Sequence, residues 1–380
     1  MKIGIVCYPT FGGSGVVATE LGKALAKAGH QVHFITYSQP QRLDFFNENL
    51  YYHEVNIPAY PLFQYPPYES ALSSEMVHVV ANAGLDLLHV HYAIPHASSA
   101  YLAKQILAAQ GIHIPVITTL HGTDITLVGK DPSYEPVVTF SINQSDGITT
   151  VSESLKRDTY DHFKITKDIE VIPNFIDLDR FSRQKKDHFK LAICPNNEKL
   201  IVHTSNFRKV KRIDDVIMTF EKLRKLLPSK LLLVGDGPER LRIERLCKDL
   251  DMLSDVRFLG KLDAIEEVLS VADLFLMPSE TESFGLAALE AMACEVPIIT
   301  SNAGGLPELN VHGVTGFLSN VGDVEDMVRH AAYILDDANL PTFKANALAR
   351  AREFDVAKIL PHYEAYYERV VENSKAVDLA

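Results

Sequence analysis

The sequence is short of long hydrophobic runs, paired cysteines and positive charge. Its apolar runs are only strand-sized, which excludes a membrane-spanning helix. The opening Met1-Lys-Ile-Gly-Ile-Val-Cys-Tyr-Pro9 has no basic stretch ahead of a long apolar core, so it reads as a first strand and not a secretion signal. Cys7, Cys194, Cys247 and Cys294 are scattered, with no Cys-x-x-Cys. That spacing excludes a four-cysteine metal site and fits a reducing cytoplasm, the expected location. Lys and Arg number 37 against 49 Asp and Glu, a net charge of −12. Such a surface repels nucleic acid and anionic lipid, so neither is an expected partner, and an anionic substrate would need a local cationic pocket.

What is present is a soluble, globular composition, 47% apolar and 23% charged, over 380 residues. That length is too great for one ordinary core and predicts two domains. The expected division is residues 1–170 plus about 361–380, then 171–360, with the boundary near Pro173. The pattern alternates strands and helices twice, which predicts two Rossmann-like α/β domains facing across a cleft. In the first, Lys2 to Tyr8 and Gln31 to Tyr37 read as strands around a helix from Val16 to Ala28. Leu85 to His96 and Pro115 to Asp124 each read as a strand with its exit, and Asp146 to Ser152 as a further strand, with Ser152 capping the next helix. Arg42 to Ser70, rich in Pro and aromatics, reads as a long irregular segment, and the Leu62–Tyr68 stretch is a second candidate for an acceptor site. In the second domain, strands are expected at Leu200, Lys230, Val256, Asp273 and Val296. Ser182 to Lys199 reads as a polar linker. Phe343 to Lys375 reads as a helical tail, kinked at Pro361.

Ligands of open α/β sheets bind where strands end and helices begin. Four such places stand out. Pro9-Thr-Phe-Gly-Gly-Ser-Gly15 turns from strand to helix, and Gly12 and Gly13 allow close backbone approach. Its Gly13-x-Gly15-x-x-Ala18 spacing also fits a dinucleotide fingerprint, but the acid required after the second strand is missing, where Thr36-Tyr37-Ser38 stands. His89-Val-His-Tyr-Ala-Ile-Pro-His96 suggests a metal through His89, His91 and His96. Strand alternation instead places one histidine in the core and Tyr92 at the strand exit. His121, after Pro115-Val-Ile-Thr-Thr-Leu120, is a ligand contact or a core residue. Finally, Arg208, Lys209, Lys211 and Arg212 put four cations in five positions at a strand exit, either a solvated face or an anion site.

The stretch from Ser279 to Glu308 organises the rest. A helix expected from about Ser283 would aim the N–H groups of Phe284, Gly285 and Leu286 at an anion. Glu282 and Glu290 would then stand roughly 12 Å apart, suited to the two hydroxyl-bearing ends of one long ligand. This Glu-x7-Glu arrangement, with Ser283-Phe-Gly285 and Gly304-Gly305-Leu-Pro-Glu308, resembles the retaining nucleotide-sugar glycosyltransferases of family 4.

The resemblance implies that Glu282 contacts a hydroxyl of the donor sugar and Glu290 the ribose. Arg208 and Lys211 would grip the diphosphate, with Lys209 the alternative to Lys211. His121 would lie beside the sugar, and Gly12 and Gly13 near diphosphate and acceptor. Phe175 stands where the family commonly has Gly after Asn174. A narrower likeness covers Cys7-Tyr-Pro9, Gly12 to Val17, His89 to His96, Thr118 to Thr126, Pro173 to Asp177 and Ser205 to Arg212. It points to the family members that transfer N-acetylglucosamine from UDP-N-acetylglucosamine to the 2-hydroxyl of L-malate with retention, the first step of bacillithiol biosynthesis. The implied catalytic set is His121, Glu282, Arg208 and Lys211. The acceptor would meet Gly13, Ser14, Tyr92, Thr119 and His121, with Arg42 or Lys23 at longer range, unless Tyr92 and Thr119 are packed beneath the surface. No cofactor and no obligatory metal is expected, since no Asp-x-Asp ends a strand. A homodimer is compatible with the sequence. Two other readings stand beside this one. They are a family-4 enzyme for a lipid, inositol phosphate or polysaccharide acceptor, and a non-catalytic sugar-nucleotide module.

Overall fold

The structure, a computed structural model, describes residues 1–10, 12–43, 47–57, 61, 64–184 and 187–378. Among these residues the chain forms two compact units, Met1–Asn174 with Ala357–Ala380, and Phe175–Val356.

The first unit is built on seven strands: β1 (Lys2–Val6), β2 (Gln31–Thr36), β3 (Leu50–Glu54), β4 (Leu87–His91), β5 (Val116–Leu120), β6 (Gly147–Thr150) and β7 (Glu170–Val171). Their order is β3-β2-β1-β4-β5-β6-β7, and each neighbouring pair is parallel. β1, β4 and β5 are almost wholly buried, as expected of parallel strands covered by helices on both faces. The second unit holds β8 (Lys199–Thr204), β9 (Ser229–Val234), β10 (Val256–Gly260), β11 (Leu274–Met277), β12 (Ile298–Ser301) and β13 (Gly316–Ser319), in the parallel order β10-β9-β8-β11-β12-β13. In both sheets the order reverses direction from one central strand, β1 or β8. The crevices where ligands are met therefore open between β1 and β4, and between β8 and β11.

Three strands escaped the sequence reading. β3 lies within the segment read as irregular, because an edge strand with Tyr51 exposed and Tyr52 and His53 half-buried shows no apolar alternation. β7, only two residues long, and β13, which comes after the last strand read from sequence, also went unread. The expected linker also contains a helix, Asp187–Ile193. Lys190 on that helix reaches the buried Asp273 at 2.7 Å, and Lys344 reaches it at 3.1 Å. Burial alone would raise the Asp273 carboxyl, but Lys344 and Lys190 outweigh it and hold it below the usual range. Ser152 does cap its helix, accepting from Leu155 N at 3.1 Å.

The tail forms Leu340–Ala351 and then Val356–Asp378, with Pro361 inside the second helix. From Ala357 onward it packs in the first unit. Tyr363 and Tyr367 are fully buried. Tyr367 Oη lies 2.7 Å from His89 Nδ1, and Tyr366 Oη accepts from Ile148 N at 2.7 Å. Among the described residues no helix is long and apolar enough to cross a membrane.

Candidate functional site

In the second unit, the loops leaving β8, β11 and β12 are tied backbone to backbone. Glu280 N donates to Val210 O at 2.8 Å, and Gly305 N donates to Glu282 O at 2.8 Å. Glycines make this approach feasible. Gly304 has φ +58, and a Cβ there would stand 2.0 Å from Glu282 O. Replacing Gly304 by Ala should therefore push the Glu282 backbone out of place, beyond a left-handed strain of roughly 1–2 kcal/mol. A lowered melting temperature with weakened UDP binding by calorimetry is expected. Unchanged UDP affinity would detach this loop from the nucleotide contacts that the family-4 resemblance implies.

The cation run resolves into separate tasks. Arg212 is committed to Asp215, Nε to Oδ2 at 2.6 Å. Lys211 Nζ contacts Glu282 Oε2 at 2.5 Å, so the loops from β8 and β11 are joined by a half-buried ion pair directly at the switch point. Arg208 and Lys209 are exposed, and their side chains have no polar partner among the described residues. They are the cations open to an arriving anion.

The helix that follows starts later than the sequence suggested. It spans Leu286–Ala293, with Gly285 at φ +97 as its N-cap. That left-handed turn leaves Ser283 and Phe284 ahead of the helix, and Phe284 buries its ring against Phe354. The free amides of the first turn belong to Leu286 and Ala287, since Ala288 N already bonds Gly285 O. Because residues 282–285 are not helical, the 12 Å separation expected from helical rise does not apply. Glu290, in the second turn, is buried to 7% exposure.

In the first unit a second cluster sits at the β1/β4 crevice. Gly15, rather than Gly12, is the glycine that sterics require. A Cβ on Gly15 would lie 2.4 Å from Tyr8 O, whereas one on Gly12 would have room, 3.4 Å from Thr10 Oγ1. Gly13 opens the helix Gly13–Lys27 and is exposed. Ser14 Oγ and Tyr92 Oη are 2.9 Å apart, so two of the expected acceptor residues meet across the crevice. Tyr92 has φ +86, an unusual conformation for a bulky residue. Its ring stands edge-on to Tyr8 at 5.3 Å and 5.4 Å from His121.

Thr119 is not with them. Its hydroxyl is wholly buried, 2.6 Å from both His89 Nε2 and Thr149 Oγ1, so it packs beneath the surface. His89, His91 and His96 are all fully buried, where the alternation suggested only one. Both ring nitrogens of His89 are taken, by Tyr367 and Thr119. Among the described residues no group of three or more His, Cys, Asp or Glu is arranged to hold a metal ion.

His121 retains 9% exposure at the exit of β5, and its Nε2 lies 2.8 Å from His91 Nδ1. Burial, reinforced by His96, pushes its pKa down to about 3, so the ring is neutral at pH 7. Asp124 was given no role from sequence. Its carboxylate, 2% exposed, accepts from Ala93 N at 3.0 Å, Gly122 N at 2.9 Å and His121 N at 3.3 Å, fastening the exits of β4 and β5 together. Burial lifts its pKa to about 6 in spite of those N–H groups. The signal available was an Asp three residues beyond the strand-end histidine, placed to accept from the turn. Lys23 Nζ bonds Arg42 O at 3.3 Å. The expected Leu62–Tyr68 acceptor site lies partly outside the described residues. Tyr68 itself helps line an open depression of about 480 Å³ with Tyr8, Tyr37 and residues 54–57.

Two strand-end clusters, one with free cations and one with aromatic and hydroxyl groups, suit a two-substrate reaction on an anionic ligand. Residues 11–180 match the family described as Glycosyltransferase Family 4, and residues 184–350 that described as Glycosyl transferases group 1. The N-acetyl-alpha-D-glucosaminyl L-malate synthase of Bacillus anthracis is 48% identical over 384 residues, covering 99% of this chain and 98% of that one. The chain belongs to glycosyltransferase family 4. An uncharacterized glycosyltransferase of Methanocaldococcus jannaschii is 30% identical, over 83% of this chain and 84% of its own. The fold is of the GT-B type. Sucrose-phosphate synthase from Thermosynechococcus elongatus superposes with a TM-score of 0.82 at 22% identity, covering 98% of this chain and 100% of that one. Anabaena HepE, solved with UDP and glucose, gives 0.80 at 21%, covering 96% and 98%. The two family matches divide near the boundary of the two units, so the family-4 transferase carries one strand-end cluster in each match.

Proposed function

We propose that this chain is a retaining transferase that moves N-acetylglucosamine from UDP-N-acetylglucosamine to the 2-hydroxyl of L-malate, the first step of bacillithiol biosynthesis. The observation that carries the reading is the likeness to the Bacillus anthracis synthase, which is 48% identical and spans essentially the full length of both chains. The second unit binds the nucleotide. Arg208 and Lys211 or Lys209 meet the diphosphate, Glu290 the ribose and Glu282 a sugar hydroxyl. As UDP departs, charge grows on the diphosphate, and fixed cations aimed there lower the barrier. The malate hydroxyl gives its proton to the leaving phosphate oxygen and attacks the same face of the sugar, so the α configuration is kept. No protein nucleophile and no metal is required by this route.

The first unit binds malate. Gly13, Ser14 and Tyr92 supply N–H and O–H donors at a helix start, which suits a dicarboxylate. His121 meets the sugar as a neutral ring, and so does not repel the cationic character that develops there. Transfer of radiolabel from UDP-N-acetylglucosamine, assayed over a panel of hydroxy acids, is expected to be greatest with L-malate and to give the α anomer. Transfer to a lipid, inositol phosphate or glycan in its place would reassign the acceptor. Binding without any transfer would make the chain a sensor.

A further inference from the structure

The ring nitrogens around His121 form a chain with few free choices. His96 Nδ1 is hydrogen-bonded to the backbone carbonyl of His91. A carbonyl only accepts, so His96 is protonated at Nδ1, and its Nε2 is a bare lone pair, buried and without a partner among the described residues. His91 is fully buried. Its Nδ1 faces His121 Nε2 at 2.8 Å, while its Nε2 is likewise buried without a partner. Burial holds both rings neutral, so one proton lies between these two nitrogens and one ring must donate to the other.

If His121 donated from Nε2, His91 would carry its own proton on Nε2, stranding a buried N–H. If His91 donates from Nδ1, only a lone pair is stranded, as already happens at His96. Orphaned buried N–H groups are the rarer outcome. We infer that His91 is a positioning residue that fixes the tautomer of His121: His91 Nδ1–H donates to His121 Nε2, and His121 therefore presents Nδ1–H outward as a hydrogen-bond donor. No described residue takes that Nδ1–H. On the proposed reaction, it donates to a hydroxyl of the transferred sugar, and His121 has no free lone pair with which to act as a base.

The test has a part that needs no substrate. The chain labelled with 15N-histidine should show, in long-range 1H–15N correlation spectra, a protonated Nδ1 and an unprotonated Nε2 for His121. In His91→Phe, which removes the donor, the His121 proton should move wholly or partly to Nε2. In His91→Asn, whose amide N–H stands near the place of Nδ1–H, the wild-type pattern should return. Transfer measured on the same variants should show kcat reduced about tenfold in His91→Phe, as for one mis-set hydrogen bond, and largely restored in His91→Asn, with UDP affinity unchanged in both. A wild-type His121 protonated at Nε2, or His91→Asn no better than His91→Phe in the spectrum, overturns the inference. The wild-type spectrum decides the matter even if a variant fails to fold. Absence of transfer by the wild type with the predicted spectrum rejects the proposed reaction and leaves the tautomer assignment standing.

Discussion

Replacing Arg208 by alanine is expected to weaken UDP binding by one to two decades. The four neighbouring cations are not equivalent. Arg212 is held by Asp215 and Lys211 by Glu282, so each already has its counter-charge. Arg208 is exposed, and no described residue engages its guanidinium. A diphosphate meeting Arg208 therefore gains charge-assisted hydrogen bonds without breaking an existing pair, worth about 1.5–3 kcal/mol, or roughly ten- to a hundredfold in affinity. Lys209 is exposed and unengaged in the same way, which reopens the choice between Lys209 and Lys211. Removing Lys211 acts through two routes, since it also leaves the half-buried Glu282 carboxylate unpaired beside an anionic ligand. Calorimetric titration with UDP separates these roles. Arg208→Ala and Lys211→Ala should both weaken UDP, while adding Glu282→Gln to Lys211→Ala should recover part of the loss. Wild-type affinity in Arg208→Ala would remove it from the site.

How much of this was legible in the sequence depends on how local each signal was. Strand exits followed by glycine and a helix were readable at Gly12–Gly15 and at Ser279–Glu308, because the chemistry of turns is local. The pairing of Ser14 with Tyr92 depends on β1 and β4 being neighbours, and the doubly wound pattern made that a sound expectation. The late helix start at Leu286 was not readable, since Ser283-Phe-Gly285 fits an N-terminal turn equally well. Only the left-handed backbone at Gly285 decides it. The burial of Thr119 was one of two open readings, and that of all three histidines near β4 was hidden for a different reason. The groups that satisfy His89 come from β5 and from the tail, 30 and 278 residues away in sequence. Asp124 likewise acquires its role from Ala93, 31 residues away. Polar side chains that are buried because distant partners satisfy them look, in a sequence, like surface or ligand residues.

That same buried histidine cluster should make the chain sensitive to mild acid. Burial, reinforced by neighbouring histidines at three of the four sites, lowers the pKa of His89 and His121 to about 3, of His96 to about 4, and of His91 well below its ordinary value. In the unfolded chain each titrates near 6.5. Below that pH the unfolded state takes up protons that the folded state refuses, so stability falls as pH drops from about 6.5 toward about 4. One such histidine costs about 1.4 kcal/mol per pH unit. Four together at pH 5.5 reach on the order of 5 kcal/mol, comparable with the whole stability of a typical domain at ~5–15 kcal/mol. Asp124 acts in the opposite sense. Its folded pKa is raised from 3.8 to about 6, so it takes up a proton on folding between those values and returns stability as pH falls below about 6. At pH 5.5 that covers only half a unit of one group, and the histidines prevail. Melting followed by intrinsic tyrosine fluorescence or calorimetry should show the transition temperature falling steeply between pH 7 and pH 5.5. Replacing His89, whose Thr119 and Tyr367 contacts ask only for neutral polar partners, by Gln should flatten that slope by about one histidine's share. A transition temperature constant from pH 7 to pH 5.5 would mean that these rings are solvated, or already charged, in the folded chain.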